Sequence, residues 1–72
     1  MNKTNSLAKE QIRVLSAKIN ELIILLQTDR QNESNRRELL KLVGRRRRLL
    51  TYLKKKSRKD YLIIIEELDL RG

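Results

Sequence analysis

Two stretches of this chain repeat apolar residues at alternating spacings of three and four, which is the spacing of one face of an α-helix. The first contains Ile12, Leu15, Ile19, Leu22 and Leu26, with Ile23 beside them. The second contains Leu39, Val43, Leu50 and Leu53, with a charged residue, Arg46, at the middle position of the repeat. The pattern predicts two long amphipathic helices whose apolar faces can pack on each other.

Turn-forming residues are scarce, since the chain has no Pro and its two Gly residues are Gly44 and Gly72. The polar run 27–32 is typical of a loop, and the second helix is expected to begin near Asn32–Asn35, where Asn35 and Glu38 fit a capping arrangement. Because the connection is short, the two long helices should form an antiparallel hairpin.

A third segment begins at Ser57, a favourable N-cap residue with Asp60 three positions later. The β-branched run 63–65 also fits a strand, but a lone strand would have no partner in the chain. We therefore predict an all-α fold in one domain, residues 1–72: an antiparallel helical hairpin of two long helices plus a shorter C-terminal helix packed against it. The helices are expected at about 7–27, 33–56 and 58–69.

Composition excludes several classes of function. The chain has no Cys and no His, so disulfides, the usual zinc ligand sets and nucleophile–His pairs are absent. Glu66 and Glu67 are adjacent on a helix and point in different directions. We expect no enzyme, no cofactor, no metal and no small-molecule substrate.

The longest apolar run, Tyr61–Ile65, is far too short to cross a bilayer, and the N-terminus does not resemble a secretory signal. We therefore expect a soluble protein inside the cell.

Positive charge is concentrated in the middle of the chain. The net charge is +9, and residues 29–56 hold eleven basic and three acidic residues. When the second helix is projected at about 100° per residue, one set of side chains falls within about 100°. This set is Arg37, Lys41, Arg45, Arg48, Tyr52, Lys55 and Lys56. A basic stripe that contains an aromatic residue favours binding to RNA phosphates, with Tyr52 suited to a base or ribose.

The alternative for the stripe is a solvated helix face. Glu38 is the one acidic residue in the body of the helix, and like charges four residues apart repel, so a bound polyanion explains the stripe better. Arg46 faces the packing side; we expect its methylenes in the core and its guanidinium near a carboxylate of another helix. Two further hypotheses remain: a coiled-coil interaction module without a specific RNA target, and a helix that binds anionic lipid at a membrane surface.

Several motifs resemble one family, that of the fifteenth small-subunit ribosomal protein of bacteria and organelles. Residues 44–56 (GRRRRLLTYLKKK) look like its signature, and 35–40 (NRRELL) stand where the family has Ser-Arg-Arg-x-Leu-Leu. Residues 60–64 (DYLII) and 68–71 (LDLR) match its last helix and its Leu-Gly-Leu-Arg ending, with Asp69 in place of the Gly. Gln11-Ile12 and Ile19-Asn20 fit its second helix. The resemblance covers about residues 5–71.

The resemblance implies a four-helix protein that binds the central domain of small-subunit rRNA at a three-way junction and at a nearby G-U/G-C element. It also implies a role in subunit assembly, a contribution to a bridge with large-subunit rRNA, and neighbouring ribosomal proteins as partners. The family's short first helix has no counterpart here, so the chain is expected to begin near the loop that precedes the second helix. The implied location is a ribosome, organellar or bacterial; residues 42–50 (LVGRRRRLL) are closer to plastid members.

Individual contacts carry over by position. Gln11 and Tyr52 match family residues at the junction, and a Thr-Gly pair in the family's preceding loop aligns near Thr4, Asn5 and Ser6. The His, Asp and Ser that meet the G-U/G-C element stand at Leu25, Asn32 and Asn35, and a leucine cannot donate a hydrogen bond. The RNA-binding candidates are therefore Thr4, Asn5, Gln11, Asn32, Asn35, Arg37, Lys41, Arg45, Arg48, Tyr52 and Lys55.

Overall fold

A computed structural model describes residues 3–70 of the chain and shows three α-helices in that range. These are α1 (Lys3–Thr28), α2 (Glu33–Lys56) and α3 (Arg58–Leu68). The two long helices form an antiparallel hairpin, and α3 packs against both in a body of 43 × 18 × 18 Å. The predicted all-α fold is confirmed, and the strand alternative for residues 63–65 is wrong because these residues lie within α3.

The first helix begins earlier than predicted, at Lys3 instead of about residue 7. Thr4, Asn5 and Ser6 are therefore helical, and their expected placement in a loop is wrong. Asn5, Ala8 and Ile12 lie on one face because they are three and four residues apart, and all three are buried. Packing of this face against the rest of the protein extends the helix beyond its periodic apolar residues.

Asn32 caps the N-terminus of α2, and its side-chain oxygen accepts a hydrogen bond from the backbone N–H of Asn35 at 3.0 Å. The predicted cap at Asn35 is wrong by three residues. An Asn at position 32 or 35 can serve equally well as an N-cap, but a cap at Asn32 makes the helix almost one turn longer. At the other end, the last turn contains Lys54, Lys55 and Lys56, whose positive charges interact favourably with the negative end of the helix dipole.

Ser57 connects α2 to α3 without any further linking residue. Its backbone N–H donates to the Leu53 carbonyl at 2.8 Å, which completes α2, and its Oγ accepts from the Asp60 N–H at 3.2 Å, which begins α3. The predicted N-cap at Ser57 is confirmed. One residue in extended backbone conformation thus ends one helix and starts the next.

The core is small. A cluster of Ala8, Ile12, Leu53 and Ile64 joins all three helices, and the last three are fully buried. Burial of each large aliphatic side chain contributes about 1.5–3 kcal/mol. Ile19 and Leu42 continue the buried seam of the hairpin. No helix in residues 3–70 is long and apolar enough to span a membrane.

Ion pairs fasten α3 to α1. Lys9 Nζ lies 3.1 Å from Asp60 Oδ1, and the Arg13 guanidinium contacts both carboxylate oxygens of Glu67, at 2.6 and 2.9 Å. The hydrogen bond from Lys9 lowers the pKa of Asp60, and the hydrogen bond from Arg13 lowers the pKa of Glu67. Asn5 Nδ2 also donates to Asp60, at 3.4 Å.

The end of α3 is a Schellman motif. The Leu70 N–H donates to the Ile65 carbonyl at 3.0 Å and the Asp69 N–H donates to the Glu66 carbonyl at 3.3 Å. Asp69 adopts the left-handed conformation, with φ 51° and ψ 44°. The helix therefore ends at Leu68, one residue before the predicted boundary.

Candidate nucleic-acid interface

Basic residues of α2 have no carboxylate partner among the residues that the structure describes. The helix contains ten Lys and Arg residues and two Glu. Of the three salt bridges among residues 3–70, two join α1 to α3 and one lies within α1, and no carboxylate in this range lies within salt-bridge distance of a basic residue of α2. The positive charge of α2 is thus not neutralised by the fold, and an external anion can interact with it.

One side of α2 carries the predicted basic stripe. All of its charged members are exposed, and they lie on the same side of the buried residues Leu42 and Leu53. We define as the first basic edge the residues Arg37, Lys41, Arg45, Arg48 and Lys55. From Arg37 to Lys55 it extends for about 27 Å, since a helix rises about 1.5 Å per residue.

A groove of about 510 Å³ separates this edge from α1. The residues of α1 that line it are Glu10, Gln11, Val14 and Leu15, and those of α2 are Arg45, Arg48 and Leu49. We name it the α1–α2 groove. It brings Gln11, a candidate from the family resemblance, together with the two arginines selected by helical projection. A surface with a polar amide, two guanidinium groups and an apolar floor can contact phosphate and ribose together.

Tyr52 follows Arg48 by four residues on the same side of α2. Its side chain is half-buried and packs against the core cluster, and Lys56 Nζ lies 5.9 Å from its ring centroid. The ring is therefore held by packing on one side and flanked by a cation on another. Such a fixed, partly exposed aromatic residue is suited to contact with a base or a ribose.

Other candidates lie away from this groove. Asn5 is buried, with 6% of its surface exposed, and its amide points to Asp60 rather than to solvent. Thr4 is exposed on α1. Asn32 and Asn35 lie at the start of α2, about 24 Å and about 20 Å along the helix from Arg48. The Asn32 oxygen is engaged in the cap, so the structure does not bring these asparagines to the α1–α2 groove.

Arg46 has a partner that differs from the prediction. Its Nη1 donates to Ser16 Oγ at 3.2 Å, whereas a carboxylate of another helix was expected. Burial lowers the pKa of the Arg46 guanidinium, and Ser16 is itself buried. The signal that could have identified this pair is Ser16, which follows Ile12 by four residues and so interrupts the packing face of α1 with a hydroxyl group.

The apolar part of the α1–α2 groove was also missed. Val14 is exposed by 47% of its surface and does not belong to the apolar series of α1. It lies three residues after Gln11, so it shares a helix face with that amide. This spacing, taken with the position of Gln11, would have identified it.

Comparison with known proteins gives consistent matches. The family model described as Ribosomal protein S15 matches residues 2–71. The chain is 50% identical over 64 residues to the small ribosomal subunit protein uS15 of Herpetosiphon aurantiacus, a match that covers 89% of this chain and 71% of that protein. It is 47% identical over 62 residues to the protein of the same name from Trichormus variabilis, covering 86% and 70% of the two chains.

Proposed function

Because the chain belongs to the ribosomal protein S15 family, whose members are structural constituents of the small ribosomal subunit, we propose that it binds a three-way junction in the central domain of small-subunit rRNA. The α1–α2 groove and the first basic edge form the contact surface. The protein holds RNA helices in position and carries out no chemistry, as is typical of this structural, non-enzymatic family.

The convergence of Gln11, Arg45 and Arg48 on one groove carries this proposal. The two arginines supply phosphate contacts that position the protein, while the amide of Gln11 can donate to and accept from base edges or ribose hydroxyls. Tyr52 lies one turn beyond, at the end where α3 packs. A junction, where backbones converge, offers phosphates and splayed nucleotides within the length of this edge.

The tip of the hairpin is expected to add little to affinity. Leu25, at the position of the family's His, is exposed by 50% and has no polar atom in its side chain, and the Asn32 oxygen caps α2. We infer that the G-U/G-C element is recognised weakly or through Asn35 alone. Roles in subunit assembly and at a bridge to large-subunit rRNA remain part of the proposal, as does residence in a plastid or bacterial ribosome, which the cyanobacterial relatives support.

A binding assay with a three-way-junction RNA tests the proposal. The Arg45→Glu/Arg48→Glu variant should bind at least 100-fold more weakly, because two phosphate contacts become repulsive. The matched control is Arg30→Glu/Lys59→Glu, which makes the same charge change at exposed residues in the loop and on α3. Similar losses in the two variants would show a non-specific electrostatic effect and contradict the proposed surface.

Tyr52 tests the specific part of the contact. Tyr52→Ala should weaken binding to the junction more than binding to an unstructured RNA of equal length, because the ring contacts a base or ribose rather than phosphate. Tyr52→Phe keeps the ring that packs on the core. This variant therefore separates the contribution of the hydroxyl to RNA binding from any effect on the fold. Equal losses for both RNAs in the Tyr52→Ala variant would contradict a junction-specific role.

The coiled-coil alternative has less support. The apolar faces of α1 and α2 are packed on each other within one chain, with Ile12, Ile19, Leu42 and Leu53 buried there. These faces are therefore occupied and are not available for a dimer. Sedimentation without RNA should give a monomer, and a dimer that persists at high salt would support the alternative.

A further inference from the structure

A second set of basic side chains lies on the other side of the packed face of α2. Arg36, Arg47 and Lys54 are exposed and project within about 20° of one another around the helix axis. We define these three residues as the second basic edge. It extends for about 27 Å, and its direction differs by about 120° from that of the first basic edge. None of its members belongs to a salt bridge within residues 3–70.

The second edge borders a groove between α2 and α3. This groove, of about 460 Å³, contains Arg46, Arg47 and Lys54 at its sides and Leu50 and Ile65 in its floor. No acidic residue lines it. Lys54 Nζ lies 5.5 Å from the ring centroid of Tyr61, so the cation is positioned over an aromatic surface.

We propose that the second basic edge binds the phosphate backbone of a separate RNA segment, so that α2 is held between two RNA backbones. A helix with its side chains is about 10–12 Å across. A single backbone on the first edge therefore does not reach Arg47 and Lys54, whereas a second backbone does. The second site does not depend on the junction contact.

Charge and length favour RNA over an acidic protein segment. The three cations extend along one line beyond the α2–α3 groove, since Arg36 lies about 16 Å from Arg47 along the helix. A phosphate backbone supplies negative charge along all of that length, and guanidinium groups bind phosphate with two hydrogen bonds. A peptide seated in the apolar groove would leave Arg36 without a contact.

The first test is a three-component capture assay with the full chain. Biotinylated junction RNA is immobilised and saturated with protein, and a fluorescent 20-base-pair RNA duplex is then added. The Arg47→Gln/Lys54→Gln variant should capture the duplex about tenfold more weakly than the unmodified protein. The matched control, Arg30→Gln/Lys59→Gln, should lose less than threefold. Both variants should keep junction affinity within threefold.

Salt dependence measures the number of phosphates contacted. Loss of two contacts should reduce the slope of log affinity against log salt for duplex capture by about 1.8. An unchanged slope, or equal capture by the two double variants, overturns the proposal. Circular dichroism should show that both variants are folded, since all four substituted residues are exposed. If an oligoglutamate displaces the duplex at lower concentration than competitor RNA does, the site prefers acidic peptides and the proposal is wrong.

A second arm separates this site from the junction contact. In the Arg45→Glu/Arg48→Glu background, direct duplex binding should still weaken about tenfold when Arg47 and Lys54 are replaced by Gln. This result is expected even if the junction proposal is wrong. Duplex binding that is insensitive to Arg47 and Lys54 in this background overturns the second site and leaves the junction proposal untouched.

Discussion

Asp69 ends α3 in a left-handed backbone conformation, which is energetically unfavourable for residues that have a Cβ. Its φ of 51° and ψ of 44° place it in the left-handed region, where glycine is the common residue of a Schellman motif. Aspartate tolerates this region better than most residues. The family resemblance places a glycine at this position, so the chain retains the motif with a less favourable residue.

Asp69→Gly should therefore stabilise the protein. We expect the free energy of unfolding to rise by about 0.5–1 kcal/mol, because relief of the left-handed conformation exceeds the added entropy of glycine in the unfolded chain. Urea unfolding followed by circular dichroism measures the change. Asp69→Ala, which keeps the Cβ and removes the carboxylate, is the control and should not stabilise. A gain in both variants would assign the effect to the carboxylate instead of the backbone.

Arg46 shows what happens to a cation that the apolar repeat places at a packing position. Its guanidinium reaches Ser16 on α1, and burial disfavours its charged form. Ser16→Ala should destabilise the protein by about 1–2 kcal/mol, since a partly buried donor loses its acceptor. Chemical unfolding of Ser16→Ala, with Ser6→Ala on the exposed part of α1 as control, tests this. An equally small loss in both variants would mean that the contact contributes nothing.

At the scale of elements, α3 is held to α1 by ion pairs in addition to apolar packing. Ile64 is its one fully buried residue, whereas Asp60 and Glu67 each accept from a basic residue of α1. These contacts join the two helices at two places, which are seven residues apart on α3 and four residues apart on α1. The position of α3 is therefore sensitive to conditions that titrate carboxylates.

Acid should loosen α3. The pKa values of Asp60 and Glu67 are lowered by their partners, so the stabilisation is present above the ordinary carboxyl pKa and is lost as pH falls through the lowered values. We expect the urea midpoint to fall between about pH 4.5 and pH 2. The Asp60→Asn/Glu67→Gln variant should show a smaller pH dependence in the same window. An unchanged dependence would place the titrating groups elsewhere.

Ser57 links the stabilities of α2 and α3. Ser57→Ala should cost about 1 kcal/mol through loss of the N-cap of α3, as measured by chemical unfolding. Ser57→Asn is the control, because Asn also caps helices and should restore most of the loss. Similar destabilisation by Asn and Ala would show that the hydroxyl is not what supports the turn.

For the whole molecule, the apolar repeat was sufficient to predict the hairpin, and Ser57 was sufficient to place the third helix. What could not be predicted depends on tertiary contacts. The start of α1 depends on Asn5 and Ala8 packing against the rest of the protein, and the partner of Arg46 depends on which α1 residue lies opposite. The choice of Asn32 over Asn35 as cap is local, but both residues have the same propensity.

The candidate site was predicted to a similar degree. Projection of one helix identified Arg45 and Arg48, but it could not show that Gln11 of α1 lies across a groove from them. That arrangement depends on the register of the hairpin, which the sequence of one helix alone does not determine. The same projection also groups Arg36, Arg47 and Lys54. The groove beside Arg47 and Lys54 could not be predicted, because it depends on how α3 packs against α2.

A chain with so small a core should gain much stability from its ligand. At a free junction RNA concentration 100 times its Kd, the free energy of unfolding should rise by about 2.7 kcal/mol. For a chain of this size that corresponds to an increase in Tm of about 10–20 °C. Calorimetry with junction RNA and with the Arg45→Glu/Arg48→Glu variant tests this. An equal shift in the variant would mean that stabilisation does not pass through the proposed surface.

The single residue between α2 and α3 has a consequence for how the protein opens. Ser57 supplies the last N–H of α2 and the N-cap of α3. Fraying of the C-terminal end of α2 therefore also frees the N-terminal end of α3, and the reverse holds as well. The amides of Ser57 and Asp60 should then exchange with deuterium at similar protection factors, as parts of one cooperative unit. The adjoining turns of the basic helix, including Tyr52, would be protected or exposed together with the third helix.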